Sequence, residues 1–167
     1  MIEDKIWSED PNKYIIGADE VGRGSFAGPI CAAAVKINYS HLELLTNVKD
    51  SKKLSAKKRE EIFSIVQKNN IKYSFKESSN IFIDKFGIKN ANEKVLTESI
   101  SDVYTGDEIV YVDHFKINDF KSISLVRGED NCRAIALASI VAKVLRDNLM
   151  IKYSESCLLY TSDAADE

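Results

Sequence analysis

Cysteine, proline and histidine are all scarce in this chain, and each scarcity narrows what the chain can be. Among 167 residues there are three cysteines, two prolines and two histidines. Cys31, Cys132 and Cys157 are odd in number, far apart and without a C-x-x-C pair, which argues against a disulfide framework or a thiolate zinc site. Cys31 and Cys132 sit in or beside apolar runs and read as buried reduced thiols. His41 and His114 have no partner at metal-ligand spacing and read as structural. Long apolar runs are missing as well. A bilayer span needs about 20 such residues, and the longest stretch, from Ala134 to Leu137 and on past Ser139, is far shorter. Met1 to Asp10 carries acids and no apolar stretch, so no secretory signal is read there. The expectation is a cytoplasmic enzyme or binding domain, with no membrane association and no obligate protein partner evident. An excess of positive charge is also lacking, since 23 basic residues face 26 acidic ones, a net charge of −3. Three of those acids, Asp163, Asp166 and Glu167, fall in the last ten residues, and without them the two signs balance. Any surface for nucleic acid would have to be local.

What is present suits one domain with an ordinary core. Apolar residues make up 44% and charged residues 29% of the chain, and no repeat or low-complexity linker divides it. Tyr14–Ala18 reads as a short strand ending in Asp19-Glu20, and Gly22-Arg23-Gly24 supplies a turn. Phe26–Ile37 resumes as a buried strand, so the pair predicts a hairpin. Ser55 caps a helix to about Lys68, with Ile62, Ile65 and Val66 inward. Ile71–Phe75 alternates as a half-buried strand should. Ile81–Tyr104 predicts one or two helices broken near Gly87, with Val95, Leu96 and Ile100 inward. Glu108–Val112 is a strand stopping at Asp113, and Ile123–Val126 another short strand. Asn131–Met150 is the clearest helix. Strands interleaved with helices in this order predict a mixed α/β layer fold.

The chemistry gathers at element ends. Asp19 and Glu20 close an apolar strand and run directly into glycines, whose backbone amides can approach a phosphate or sugar closely. The Gly22-x-Gly24 spacing is not a dinucleotide fingerprint, because a strand rather than a helix follows. Asp113 ends another strand. Ser139, Lys143 and Asp147 recur at i, i+4 and i+8, one polar stripe on an otherwise apolar helix. Each acid alone is equally a solvated strand end or, for Asp147, a partner of Lys143 one turn away. Four acids at the edges of core elements are harder to dismiss. Magnesium prefers oxygen ligands and keeps positions open for water and phosphate. Two such ions about 3.5–4 Å apart can activate water and stabilise the leaving oxygen in phosphodiester hydrolysis.

Three stretches carry a family resemblance. Gly17-Ala18-Asp19-Glu20-Val21-Gly22-Arg23-Gly24-Ser25-Phe26-Ala27-Gly28-Pro29 resembles the signature opening of ribonuclease HII. Asp50-Ser51-Lys52-Lys53-Leu54-Ser55 is similar to that family's second motif, and Ala136 to Asp147 to its third, in the same order and approximate spacing. The resemblance implies a ribonuclease H-like fold, a mixed central sheet flanked by helices. It also implies hydrolysis of RNA in RNA–DNA hybrids, and at ribonucleotides embedded in duplex DNA, with Mg2+ or Mn2+, two divalent ions being expected with substrate. Asp19, Glu20, Asp113 and Asp147 then match the family's metal-binding carboxylates. The turn Gly22-Arg23-Gly24 matches the segment that reads the ribose 2′-hydroxyl and adjoining phosphate. The related ribonuclease HIII differs where Arg23 stands, which favours type HII. His114 departs from the family, where glycine often follows the third acid.

Lys49, Lys52, Lys53, Lys57, Lys58 and Arg59 cluster around the second motif. Lys57, Lys58 and Arg59 read as a solvated helix start, whereas Lys52 and Lys53 are expected to contact phosphate. Lys143 and Arg146, beside Asp147, are further candidates for orienting phosphate or pairing with the carboxylates. The resemblance also implies a Lys-Gly-Tyr-Gly-type motif past Met150, whose tyrosine stacks on the sugar beside the ribonucleotide. Tyr153 and Tyr160 stand in other contexts. The expectation is therefore a catalytic domain over residues 1–156, incomplete at its C-terminus, and a non-native tail over 157–167 that resembles translated sequencing adapter. The alternative function is an impaired fragment that binds metal or hybrid without turnover.

Overall fold

The computed structural model describes residues 1–25, 27–46, 48, 54–117 and 119–163, with the backbone alone for 157–163. The chain runs through helix α1 (Ile2–Glu9), strands β1 (Ile15–Val21) and β2 (Ile30–Ile37), and a 3₁₀ helix (Tyr39–Leu45). Then come α2 (Ala56–Lys68), β3 (Lys72–Ser78), α3 (Asn80–Phe86), α4 (Ile88–Val103), β4 (Ile109–Asp113) and β5 (Ser122–Leu125). The short helix α5 (Gly128–Asn131) and the long α6 (Arg133–Asp163) complete it.

The five strands form one mixed sheet in the order β3-β2-β1-β4-β5. β1 pairs antiparallel with β2, as the hairpin reading required, and parallel with β4, while β4 and β5 are also parallel. β2 starts at Ile30, where Gly28 has just turned the chain at φ +89° and Pro29 has no amide to give a ladder; Phe26, the expected start, lies outside the described residues. Helices cover both faces. Side-chain alternation sends Ile15, Ala33 and Val35 to a core with Ile135, Leu137 and Ile140 of α6, Val66 of α2 and Trp7 of α1. It sends Ile16, Ala18, Ala32 and Ala34 to a second core with Val95, Leu96 and Ile100 of α4. β2 is therefore buried along its whole length. Its one cation, Lys36, is neutralised by Glu108, whose carboxylate also accepts from the Thr105 amide at 2.9 Å.

Gly87, at φ +83°, both ends α3 and starts α4, the break expected there. Two helices also differ from expectation. Helix α1 is not anticipated by the sequence pattern, although Ile2, Ile6 and Trp7 give it an apolar side packed on the core. Buried Glu3 of α1 accepts the Ala134 amide at 3.1 Å, capping α6. Helix α6 runs past Met150, since no glycine or proline follows Gly128 to stop it. Among the described residues no helix is long and apolar enough to cross a membrane.

Candidate active site

β1 and β4 are parallel and in register from Ile15 opposite Ile109 to Ala18 opposite Val112. One residue further, the same register sets Asp19 beside Asp113, both on the face that carries α6. What lets α6 lie there is Gly17. A Cβ on Gly17 would come within 2.1 Å of the Ala134 carbonyl carbon and 2.3 Å of the Ile135 nitrogen. Only a residue without a side chain lets the helix backbone rest directly on β1. A little over one turn along α6, Ser139 then reaches Asp19 and hydrogen-bonds it.

Asp19, Glu20 and Asp113 line a single cavity of about 400 Å3, together with Val21, Arg59, Ser139, Ile140 and Lys143. The Asp19 side chain is nearly buried, at 8% exposure. Burial pushes its carboxyl up to about 7, with Glu20, Asp113 and Glu129 adding repulsion and the Ser139 hydrogen bond opposing them. Glu20 donates its backbone amide to Asp19 Oδ1 at 2.8 Å. Burial also raises the Glu20 carboxyl, its backbone hydrogen bond and the Arg23 guanidinium partly offset this, and Asp113 adds to it. Asp113 Oδ1 accepts from the Gly128 amide at 2.6 Å. A Cβ on Gly128 would lie 3.0 Å from that oxygen and 2.5 Å from Ile135, so this close approach also requires glycine.

The remaining expected site residues divide. Asp147 is not part of the cavity wall. It is paired with Lys143, whose Nζ lies 2.6 Å from Oδ1, and both side chains are about two-fifths exposed. Lys143 does line the cavity. Gly22 sits at φ +96° against the side chain of Arg146. Arg23 is half exposed, its guanidinium 3.9 Å from Glu20. A Cβ on Gly24 would meet nothing within 4 Å, so this backbone is open to an approaching ligand. Arg146 is buried, and its guanidinium is bonded to the carbonyls of Ala27 and Pro29. Lys52 and Lys53 lie outside the described residues.

Two residues at the site are not singled out by sequence pattern. Arg59, expected in a solvated helix start, faces the cavity and donates to the Leu54 carbonyl at 2.6 Å. Glu129, only 6% exposed, is close enough to Asp19 to raise its pKa. Its signal in the sequence is a glycine-acid pair, Gly128-Glu129, shortly before the apolar helix. His114 takes φ +49°, a left-handed conformation that glycine adopts without strain, which is the physical sense of its departure from the family.

The donor set is all oxygen and crowded with negative charge, which suits a hard divalent cation. Among the described residues no three acid, histidine or cysteine side chains close around a common point.

A sequence profile of the ribonuclease HII family matches residues 16–165. The ribonuclease HII of Clostridium botulinum (strain Langeland) is 39% identical over 154 residues, covering 89% of this chain and 57% of that protein. That of Caldicellulosiruptor bescii is 37% identical over 161 residues, covering 95% of this chain and 77% of the relative. Of solved structures, the ribonuclease HII in a complex with PCNA from Archaeoglobus fulgidus superposes with a TM-score of 0.72 at 26% identity. It covers 84% of this chain and 75% of that one. The chain spans 57% of the length of the clostridial relative. The mixed sheet flanked by helices is accordingly the ribonuclease H-like architecture expected from the sequence.

Proposed function

The chain belongs to the ribonuclease HII family, and from that premise we propose that it is an endonuclease. It hydrolyses the RNA strand of RNA–DNA hybrids and cuts at ribonucleotides embedded in duplex DNA, leaving 5′-phosphate and 3′-hydroxyl ends. The observation that carries this reading is the convergence of Asp19, Glu20 and Asp113 on one cavity beside the glycine turn. Asp19, Glu20 and Asp113 hold divalent cations, Mg2+ or Mn2+, whose chemistry is to polarise the scissile phosphate and ease deprotonation of water. Ser139 fixes the Asp19 carboxylate, and the Gly128 amide fixes that of Asp113. Arg59 and Lys143 offer positive charge to the phosphate backbone from the cavity wall. Lys52 and Lys53 do the same from the second motif. The open backbone at Gly24, with Arg23 beside it, reads the ribose 2′-hydroxyl, the group that separates RNA from DNA.

For the fourth carboxylate there are two candidates. Asp147 has the motif position but is tied to Lys143 outside the cavity wall, whereas buried Glu129 already acts electrostatically on Asp19. We favour Glu129, with Asp147 serving to place Lys143. Purified protein is assayed on a duplex with one embedded ribonucleotide. Asp19→Asn abolishes cleavage and leaves the far-ultraviolet circular dichroism unchanged, and retained cleavage would refute the role of the acids. Glu129→Gln lowers kcat at least about a hundredfold and Asp147→Asn about tenfold or less; the opposite order returns the fourth position to Asp147. The partial coverage of the clostridial relative favours a second reading, in which this chain binds cation or hybrid without turnover. Unchanged duplex under conditions where binding is saturated would select it.

A further inference from the structure

Arg146 is the only cation among the buried polar side chains described on α6, and it is spent on backbone. Its Nε donates to the Pro29 carbonyl at 3.2 Å and its Nη2 to the Ala27 carbonyl at 3.1 Å. At 6% exposure it has no face left for solvent. Gly22 packs on the same group from the other limb of the connection between β1 and β2. A Cβ there would lie 2.5 Å from Nε and 2.8 Å from the Pro29 carbonyl oxygen. Gly28 leans on the next turn of the helix, where a Cβ would be 2.5 Å from the Met150 sulfur. Both ends of the glycine loop, each with a left-handed glycine, therefore close on one guanidinium.

We infer that Arg146 is the positioning residue of the Gly22-Arg23-Gly24 turn, a clamp beneath the loop and not a phosphate contact. The planar fork is what the geometry uses: two separate nitrogens aim at two carbonyls two residues apart. A lysine ammonium could satisfy one of them. Because the clamp sits on α6, it fixes the turn to the same helix that carries Ser139 to Asp19. The position of the turn and that of the acids are then set by one rigid element. The link to ribose reading rests on the function proposed above; the clamp itself does not.

Two measurements test it. The first is trypsin cleavage after Arg23, compared with cleavage after exposed Lys68 at the end of α2 in the same chain. Freeing the loop in Arg146→Gln speeds the Arg23 cut about tenfold or more relative to the Lys68 cut, and Arg146→Lys falls between variant and parent. An unchanged Arg23 cut, or equal acceleration at both sites in both variants, overturns the clamp. The second is steady-state cleavage of a duplex with one ribonucleotide. Arg146→Gln raises KM about tenfold and leaves kcat within about twofold, with partial rescue in Arg146→Lys. Its affinity for all-DNA duplex keeps the parental salt dependence. A salt slope smaller by about one ion would make Arg146 a phosphate contact and overturn the inference. The trypsin result needs no nucleic acid, so a failed nuclease reading leaves it standing, and a failed clamp leaves the Asp19→Asn experiment untouched.

Discussion

Replacing Gly17 by alanine should damage the fold and the site through a single displacement. The added Cβ would stand 2.1 Å from the carbonyl carbon of Ala134, 2.5 Å from its oxygen and 2.3 Å from the nitrogen of Ile135. Ordinary contact begins near 3.4 Å, so α6 must retreat by more than 1 Å. No side chain can turn aside to spare it, because every atom in the way is backbone. Overpacking typically costs about 1–3 kcal/mol, and a purely backbone clash belongs at the upper end, about 3 kcal/mol. For a chain of this size each kcal/mol moves Tm by about 2–4 °C, so a fall of roughly 6–12 °C is expected. Thermal unfolding followed by circular dichroism measures it. The same retreat carries Ser139 away from Asp19, so divalent-cation affinity, read by calorimetry on the folded variant, should weaken as well. A Tm within about 2 °C of the parent would show that α6 does not rest on β1 as described.

Two further outcomes follow from single residues. The Asp19 carboxyl is raised from 3.8 to about 7, so the native state holds its proton more tightly than the unfolded chain does. Stability of the cation-free protein then falls as pH rises from about 4 through about 7. Asp19→Asn removes that loss, and in chelator it should exceed the parent by up to about 4 kcal/mol near pH 8 with little advantage near pH 4. Denaturant titrations at both pH values decide, and a gap independent of pH refutes the argument. His114→Gly relieves a left-handed backbone that costs about 1–2 kcal/mol, against about 0.5–1 kcal/mol of extra chain entropy. Tm should rise by a few degrees, and a fall would show that the 3.4 Å bond from the Arg127 amide to the imidazole matters more.

The sheet was legible because its strands carry period-2 and all-apolar patterns of ordinary length, and the glycine turn marked the β1–β2 hairpin. Gly87 punctuated the two helices that follow β3 for a local reason, its positive φ. Helix α1 escaped because its apolar residues, Ile2, Ile6 and Trp7, are diluted by four charged neighbours, Glu3, Asp4, Lys5 and Glu9. Its burial of Glu3 is a long-range fact, a carboxylate that finds the start of α6 across the whole sequence. Asp19 and Glu20 could be singled out from one segment. Their meeting with Asp113 depends on the parallel register of β1 and β4, which no local pattern encodes. The role of Arg146 was hidden for the same kind of reason. A charge beside a motif looks like a ligand for phosphate, and only the fold shows that two carbonyls claim it.

Helix α6 explains why so many candidate residues fall on one element and yet act differently. Its first turn is pressed on Gly17 and capped by Glu3, which fixes it along the sheet. From there successive turns deliver Ser139 to Asp19, Lys143 to the cavity wall and Arg146 to the glycine loop. An axial slip of the helix would disturb all three together, while a change at any one turn should disturb only its own contact. Lesions near Ala134 are therefore expected to lower stability, cation affinity and ribonucleotide selectivity in concert. Lesions at Arg146 should separate selectivity from cation affinity, and that separation is what a rigid helix predicts and a locally adjustable one does not.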